Sequence, residues 1–488
     1  MPHQDRTSSI RVNHQVIKQV VDWLLTSALF ASFPLSGRAT WKPRLLAVTA
    51  LLWATGEETN LTDRFVTARK VLCKIFRWMP PPGETYQGFI KSLRKWHLHL
   101  LLLIVPHVRV QMKEVLRGQW EIAGYVVFAG DGSRIELGRT ESLEDAFSPQ
   151  RKKKATKNKS SKQAKQRRKQ HKQRRSGAKN TGKKQQSDES VAKKENSPQM
   201  WLTLMWHVGT GLPWAWRTGP SDSSERHHLL EMLKELPENS LITMDAGFVG
   251  YDFWKAILDA KHNFLVRVGA NVRLFKNLGY ARQHGHTVYL WPDAAAKKNQ
   301  PPLVLRLIVI HDGKHPVYLV TNLTKSQLSD QQAATIYSRR WGIELYFRTF
   351  KQTFGCRKLR SRSAENAQLE LDWSMIGLWC ICLLGQRELV TADTNPASLS
   401  AAAAINAFQK TIREYRLRPE CCEENLWSKL RLAVLDGYER TSSKKSRNYP
   451  RKKKRENIGS PKIERASKVQ INQAQQLKAK QQETRLPA

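Results

Sequence analysis

Three carboxylates occupy positions in the sequence that suit metal-dependent chemistry. Asp131 follows the apolar run 125–129 and Asp245 follows the apolar run 241–244, and both runs are typical of buried strands. Glu344 lies on a long predicted helix. Breaking a phosphodiester needs an activated water and a stabilised leaving oxygen, which two divalent ions about 3.5–4 Å apart provide together. Carboxylate oxygens are the hard ligands that Mg²⁺ prefers, so the sequence predicts two Mg²⁺ (or Mn²⁺) ions at this triad. A single aspartate after a strand is more commonly a turn residue or a helix cap, and the prediction therefore depends on all three.

The helix that carries Glu344 also presents a polar stripe. Tyr337, Arg340, Glu344 and Lys351 stand at offsets of 0, 3, 7 and 14 residues. At about 100° per residue they fall near 0°, 300°, 340° and 320°, on one face. The neighbouring arc is apolar and predicted to be buried: Ile336, Ile343, Phe347, Phe350 and Phe354. The stripe therefore places a carboxylate at the edge of the core, beside cations that suit phosphates. An ordinary amphipathic helix with an Arg340–Glu344 ion pair explains the stripe alone equally well.

The elements that must position these residues alternate between strands and helices. The pattern predicts a strand at 125–129, a hairpin from 202–206 to 213–217, and strands at 241–244 and 264–268, with helices between and after them. This order predicts an α/β fold in which a mixed five-stranded sheet has helices on both faces. It is also the element order of the RNase H-like fold, which by itself does not establish a function.

Charge is concentrated in two segments of the chain. The formal net charge is +40; residues 151–194 hold 19 Lys and Arg against two acids, and residues 440–488 hold 15 against three. A polyanionic partner is the simplest reason for so much positive charge. Residues 151–198 are interpreted as a disordered basic insertion in a loop, and 439–488 as a basic disordered tail. We hypothesise that the insertion adds sequence-independent DNA affinity through counterion release.

Other segments receive coarser predictions. Residues 1–120 are predicted to be helical, 271–330 to be a β-rich insertion, and 386–438 to be helical. The apolar run 373–384 is too short to span a bilayer and reads as a buried core helix. The six cysteines lack zinc-knuckle spacing, which favours reduced thiols. A soluble, cytoplasmic, nucleoid-associated protein is expected.

The stripe and the aspartates resemble a known signature. Tyr337, Arg340, Glu344 and Lys351 match in type and spacing the YREK motif of bacterial DDE transposases of the insertion-sequence-four type. Asp245-Ala246-Gly247-Phe248 and the strand before Asp131 resemble the two aspartate blocks of that family. The resemblance covers about 121–385 and includes a β-rich insertion before the glutamate. The basic insertion departs from it.

The resemblance implies a site and an activity. Asp131, Asp245 and Glu344 would bind the metal ions, and Tyr337, Arg340 and Lys351 would contact DNA phosphates. Members of the family cut double-stranded DNA at terminal inverted repeats and join the 3′ ends to target DNA, usually as homodimers. The resemblance further implies that 1–120 recognises the DNA ends. Some members form a hairpin and hold a flipped base on an aromatic residue of the β insertion; Trp291 is the counterpart to test here, and a packed sheet aromatic is the favoured interpretation of it.

Two alternatives remain open from the sequence. An RNase H-like nuclease or resolvase would cut without strand transfer, and the YREK spacing argues against it. A DNA-packaging or repressor protein would bind through the basic segments alone, and would have no use for three converging carboxylates. Alanine at Glu344 separates these classes, because cutting should vanish while binding persists.

Overall fold

The computed structural model describes residues 3–34, 39–149, 198–268, 279–283, 287–312, 315–417, 425–436 and 467–483. These ranges include Asp131, Asp245 and the whole polar stripe from Tyr337 to Lys351. The basic insertion predicted at 151–194 lies outside the described residues.

The described part of the first 120 residues is helical, as predicted. The Asn60 side chain caps the third helix by accepting a hydrogen bond from Thr62 N, and Thr85 caps the fourth through Gly88 N. Between them the proline-rich segment 80–83 separates the two helices, because proline lacks the N–H that a continuing helix needs. The helices are α1 (His3–Leu24), α2 (Pro43–Ala54), α3 (Leu61–Ile75) and α4 (Tyr86–Val115).

A mixed sheet of nine strands forms the centre of the described residues, in the order β3-β2-β1-β4-β5-β9-β8-β7-β6. The hairpin β2–β3 is antiparallel, and β1, β4 and β5 run parallel to one another. The strands are β1 (Val127–Glu136), β2 (Gln199–His207), β3 (Leu212–Gly219), β4 (Leu241–Met244), β5 (Asn263–Val268), β6 (Gly279–Gln283), β7 (Thr287–Trp291), β8 (Leu303–Asp312) and β9 (His315–Thr321).

The predicted α/β class is confirmed, but the sheet is larger than the five strands expected. The β-rich insertion continues the sheet, because β9 pairs antiparallel with β5 and β8 pairs with β9. Trp291 at the end of β7 is 8 % exposed, and its Nε1 donates to the Gln300 carbonyl at 2.7 Å. This satisfied, buried indole agrees with a packed sheet aromatic rather than with an exposed base-holding residue.

The sequence predicted that Asp131 follows the end of its strand, and this prediction was wrong. Asp131 lies within β1, which continues to Glu136 because β2 pairs with it from Phe128 to Glu136. The Asp131-Gly132 pair favours a turn in isolation, and the β1–β2 ladder overrides that preference. On the side of β1 that faces β4, however, Asp131 has no paired residue, because the pairing of β4 with β1 ends at Ala129 and Thr243.

The remaining helices cover the sheet and the C-terminal part of the chain. They are α5 (Glu141–Phe147), α6 (Glu225–Met232), α7 (Tyr251–Asp259), α8 (Asp293–Lys297), α9 (Asp330–Arg339), α10 (Gly342–Arg348), a π-helical turn (Thr349–Thr353), α11 (Ala364–Thr391), α12 (Ala401–Leu417), α13 (Leu426–Arg431) and α14 (Lys468–Glu483).

The long helix predicted at 331–354 is divided. Arg340 and Trp341 keep right-handed helical angles, but the amides of Ile343 and Glu344 bond three residues back instead of four. This tighter turn separates α9 from α10, and the wider π-helical turn follows. The apolar arc is nonetheless buried as predicted, at Ile336, Ile343, Phe347, Phe350 and Phe354.

Helix α11 is the buried core helix that the apolar run predicted. It is long and apolar enough to cross a membrane by length and composition, but 94 % of its most apolar window is buried inside the protein. Residues 468–483 correct the prediction for the tail, because they form α14. That segment is rich in Gln, Ala and Lys, which favour helix. Residues 437–466 and 484–488 of the tail region lie outside the described residues.

Candidate active site

Asp131 and Asp245 are brought together by the parallel register of β1 and β4. Ala129 pairs with Thr243, so the two aspartates each stand two residues further on, on the same face of the sheet. One carboxylate oxygen of Asp131 accepts from Gly132 N at 2.9 Å, and Asp245 Oδ1 accepts from Gly247 N at 2.7 Å. These local bonds orient both carboxylates before any ligand binds.

Arg340 and Glu344 form an ion pair beside this edge of the sheet. Arg340 Nη2 donates to Glu344 Oε1 at 2.8 Å, and the arginine side chain is 9 % exposed against 34 % for the glutamate. The guanidinium carbon also lies 5.6 Å from the centre of the Tyr337 ring. Arg340 therefore contacts both Tyr337 and Glu344, two of its neighbours on the polar stripe.

Lys351 ties the far end of the stripe to β1. Its Nζ donates a hydrogen bond to Ser133 Oγ, two residues beyond Asp131 on the same face of the strand. Lys351 lies in the π-helical turn, whose wider winding opposes the tighter turn at Arg340. The tight turn overwinds the helix and the π-helical turn underwinds it. Lys351 contacts β1, the strand that carries Asp131.

The approach of α10 to the sheet depends on Gly342. A Cβ added there would lie 2.2 Å from Cη2 of Trp206 on β2. Trp206 is buried, and a rigid indole cannot yield as a flexible chain would. Glycine thus allows the first turn of α10 to pack directly against Trp206 on β2.

The electrostatics of Asp131 include the charges of both other carboxylates. Burial raises the pKa of Asp131 to about 6; the negative charges of Asp245 and Glu344 add to this, while the Gly132 N–H and Arg340 oppose it. Burial alone would lower the pKa of Arg340, but its hydrogen bond to Glu344 and the nearby acidic groups raise it. A cation bound beside Asp131 would offset the repulsion between the carboxylates and would favour the charged form of Asp131.

Glu225 is an acidic neighbour of the triad that the sequence patterns did not reveal. It is the first residue of α6, and burial, followed by the charges of Asp131 and Asp245, raises its pKa to about 7. A Cβ on Gly132 would lie 2.5 Å from Glu225 Oε1. In the sequence, the pair Ser224-Glu225 reads as an ordinary helix start and gives no sign of this proximity.

A scan against known families matches this region of the chain. The family described as the transposase DDE domain matches residues 124–380, just over half of the chain. The matched range includes β1, β4 and α10. The chain belongs to the DDE transposase family.

Individual relatives of this DDE transposase are more distant. The transposase InsG for insertion sequence element IS4 of Escherichia coli strain K12 is 26 % identical over 190 residues, 37 % of this chain. The match spans only 42 % of that relative's own length. A piggyBac transposase, in a cryo-EM structure of its synaptic complex with hairpin DNA, has a TM-score of 0.36 and 12 % identity, covering 90 % of this chain and 87 % of the other. A likeness of that size adds nothing to the family assignment.

DDE transposase domains generally use divalent metal ions, and the donors in this transposase fit such ions in kind. Asp131, Asp245 and Glu344 supply hard carboxylate oxygens, which suit Mg²⁺ or Mn²⁺. In the described ranges no group of three His, Cys or acidic side chains is already placed to hold a metal ion. Arg340 Nε is buried and has no hydrogen-bond partner among the described residues.

Proposed function

We propose that this protein is the transposase of an insertion sequence of the IS4 type. It would cut double-stranded DNA at the terminal inverted repeats of its element and join the 3′ ends to target DNA. The observation that carries the proposal is the approach of the YREK stripe to β1: Lys351 donates to Ser133, and the charge of Glu344 helps to raise the pKa of Asp131. The strand order β3-β2-β1-β4-β5 supports an RNase H-like catalytic core within the larger sheet.

Asp131, Asp245 and Glu344 would hold two Mg²⁺ (or Mn²⁺) ions. When bound, such ions supply activation of the attacking water or 3′ hydroxyl and stabilisation of the leaving oxygen. Gly132 N and Gly247 N hold the aspartates in orientation, and Arg340 holds Glu344. A preoriented set of carboxylates needs less rearrangement when its ligand arrives.

Tyr337, Arg340 and Lys351 would contact the phosphates of the strand being cut. Lys351 would exchange its bond to Ser133 for a phosphate oxygen. Exchange of a neutral acceptor for a charged one is favourable, because charge-assisted hydrogen bonds are roughly twice as strong. The helices of residues 1–120 would recognise the DNA ends, and a homodimer would pair two ends, in the bacterial cytoplasm.

A cleavage and joining assay on labelled DNA that carries the native element's ends tests the proposal. With Mg²⁺, the wild type should release 3′ ends and join them to a second duplex, and Asp245→Asn should do neither while binding DNA with unchanged affinity. Cutting without joining would instead identify a nuclease. DNA binding without any cutting by the wild type would contradict an enzymatic role.

A further inference from the structure

The segment that follows the YREK helix presents basic side chains at regular intervals. Residues 358–361 form an extended stretch beside the end of β1: Glu136 N donates to the Arg357 carbonyl and Leu359 N donates to the Glu136 carbonyl, both at 3.0 Å. Leu359 and Ser361 are buried. Because side chains alternate along an extended segment, the intervening residues point outward. These are Lys358, Arg360 and Arg362, here named the basic ridge.

The ridge has a fixed backbone. The buried carboxylate of Glu370 accepts hydrogen bonds from Arg360 N at 3.0 Å and from both the amide and the hydroxyl of Ser361, at 2.8 and 2.7 Å. At the far end, Thr140 Oγ1 donates to the Arg362 carbonyl at 2.7 Å. A backbone held in this way needs no ordering when the side chains bind a ligand, which favours recognition.

The ridge forms one wall of an open cleft of about 610 Å³, and residues 138–140 form the other. Among the described residues, no ion pair involves the three ridge side chains; the neighbouring pairs join Arg357 to Glu136 and Arg94 to Glu365. The charge of Arg360 also adds to burial in lowering the pKa of Arg64 beneath it. This uncompensated positive charge suits an anionic ligand.

The position of the cleft relative to the acidic triad indicates which anion the cleft binds. From Asp131, β1 continues through Ser133, which Lys351 contacts, to Glu136, which is hydrogen-bonded to the residues beside the cleft. Five residues of strand span about 17 Å. That distance corresponds to about five nucleotides at the 3.4 Å axial spacing of one DNA strand. The acidic helix α5 begins just beyond Thr140, at the end of the wall formed by residues 138–140.

We propose that the basic ridge binds the phosphate backbone of a DNA strand about five nucleotides from the bond at the acidic triad. Alternate residues of an extended segment are about 6.6 Å apart, which is about two nucleotides at the 3.4 Å axial spacing of one DNA strand. Binding is sequence-independent, because cations on phosphates carry no base information. The location of the strand rests on the proposed function, whereas the affinity for DNA does not.

Salt-dependent DNA binding tests the ridge without requiring catalysis. Affinity of the full chain would be measured in EDTA between about 50 and 200 mM KCl, for an element-end duplex and for an unrelated duplex. In the ridge variant, Lys358, Arg360 and Arg362 are each replaced by glutamine. The matched control loses the same charge at three exposed positions that precede the amino ends of β1, β4 and β5: Arg117→Gln, Lys234→Gln and Lys261→Gln.

Each lost phosphate contact reduces the slope of log K against log salt by about 0.9, so the ridge variant should lose two to three units of slope and the control much less. The duplex on which the slope falls identifies the strand as element end, target, or both. Equal slopes for the ridge variant and the control on both duplexes would overturn the proposal. A wild type that binds with the expected slope yet never cuts would contradict only the proposed function.

If the wild type does cut, the site of contact can be mapped. A neutral methylphosphonate placed about five nucleotides from the cut should weaken binding by the wild type and leave the ridge variant unaffected. An equal effect on both proteins would show that the ridge does not lie on that phosphate.

Discussion

Arg340 donates a hydrogen bond from Nη2 to Oε1 of Glu344 at 2.8 Å, across the tight turn that separates α9 from α10. The arginine is buried, so breaking this bond would leave its donor without a partner in a site with little water, which is costly. Glu344 is therefore held in one orientation by a residue four positions earlier.

We expect Arg340→Lys to slow cutting of end-bearing DNA by roughly 10- to 100-fold, the usual effect of losing a partner that orients a metal-binding carboxylate. Lysine keeps the charge but cannot reproduce the planar donor geometry of arginine. Cleavage rates at saturating DNA would be compared with those of Arg339→Lys, an exposed neighbour. Equal rates for the two variants would show that the Arg340–Glu344 pair has no part in the reaction.

Gly342→Ala should move α10 away from the sheet. The added Cβ meets the Trp206 ring at 2.2 Å, so we expect a loss of about 1–3 kcal/mol of stability and slower cutting. Gly118→Ala is the control, since nothing lies within 4 Å of its Cβ. Thermal denaturation measures the stability, and a double variant with Trp206→Leu should regain part of it. An unchanged melting temperature for Gly342→Ala would contradict the close packing.

Gly132→Ala should displace the Glu225 carboxylate rather than the strand. Its Cβ meets Glu225 Oε1 at 2.5 Å, and a glutamate side chain can swing away. We therefore expect a small loss of stability, within about 1 kcal/mol, that disappears in a Glu225→Ala background. A loss that persists in that background would place the strain in the backbone of β1 instead.

The raised pKa of Asp131 predicts a pH-dependent stability in EDTA. The pKa is about 6 in the folded chain against an ordinary 3.8, so the folded state binds this proton more tightly. The resulting stabilisation is present at low pH and is lost as the pH rises through about 6. Asp131→Asn lacks this loss, so its melting temperature should exceed that of the wild type by more at pH 7.5 than at pH 5. The charge of Asp131 also helps to raise the pKa of Glu225, so Asp131→Asn relieves that repulsion too and the difference grows with pH in the same direction. A difference that does not grow with pH would contradict the desolvation of Asp131.

Much of the site could be predicted because short-range periodicity determines it. The spacing of Tyr337, Arg340, Glu344 and Lys351 places them on one face of any helix, and the tight and wide turns around α10 nearly compensate each other. Neither turn could be predicted, because both depend on packing against β1 and β2, such as the contact of Gly342 with Trp206.

Long-range pairing accounts for the predictions that were wrong. Asp131-Gly132 has the composition of a turn, and only the ladder with β2, from a segment more than 60 residues later, keeps it in a strand. The size of the sheet depends in the same way on the pairing of β9 with β5. Glu225 could not be assigned from sequence, since its proximity to Asp131 results from the packing of α6 over Gly132.

The most direct test of the proposed catalytic triad is an assay of cutting and joining by Glu344→Gln. Glutamine keeps the size of the side chain and can still accept from Arg340, but removes the negative charge that a metal ion needs. Glu84→Gln, whose native side chain is 83 % exposed, is the control. With Mg²⁺ and DNA bearing the native ends, the wild type and Glu84→Gln should cut and join, and Glu344→Gln should bind the DNA but produce no cut ends. Cutting by Glu344→Gln at the wild-type rate would contradict the assignment of Glu344 to the triad.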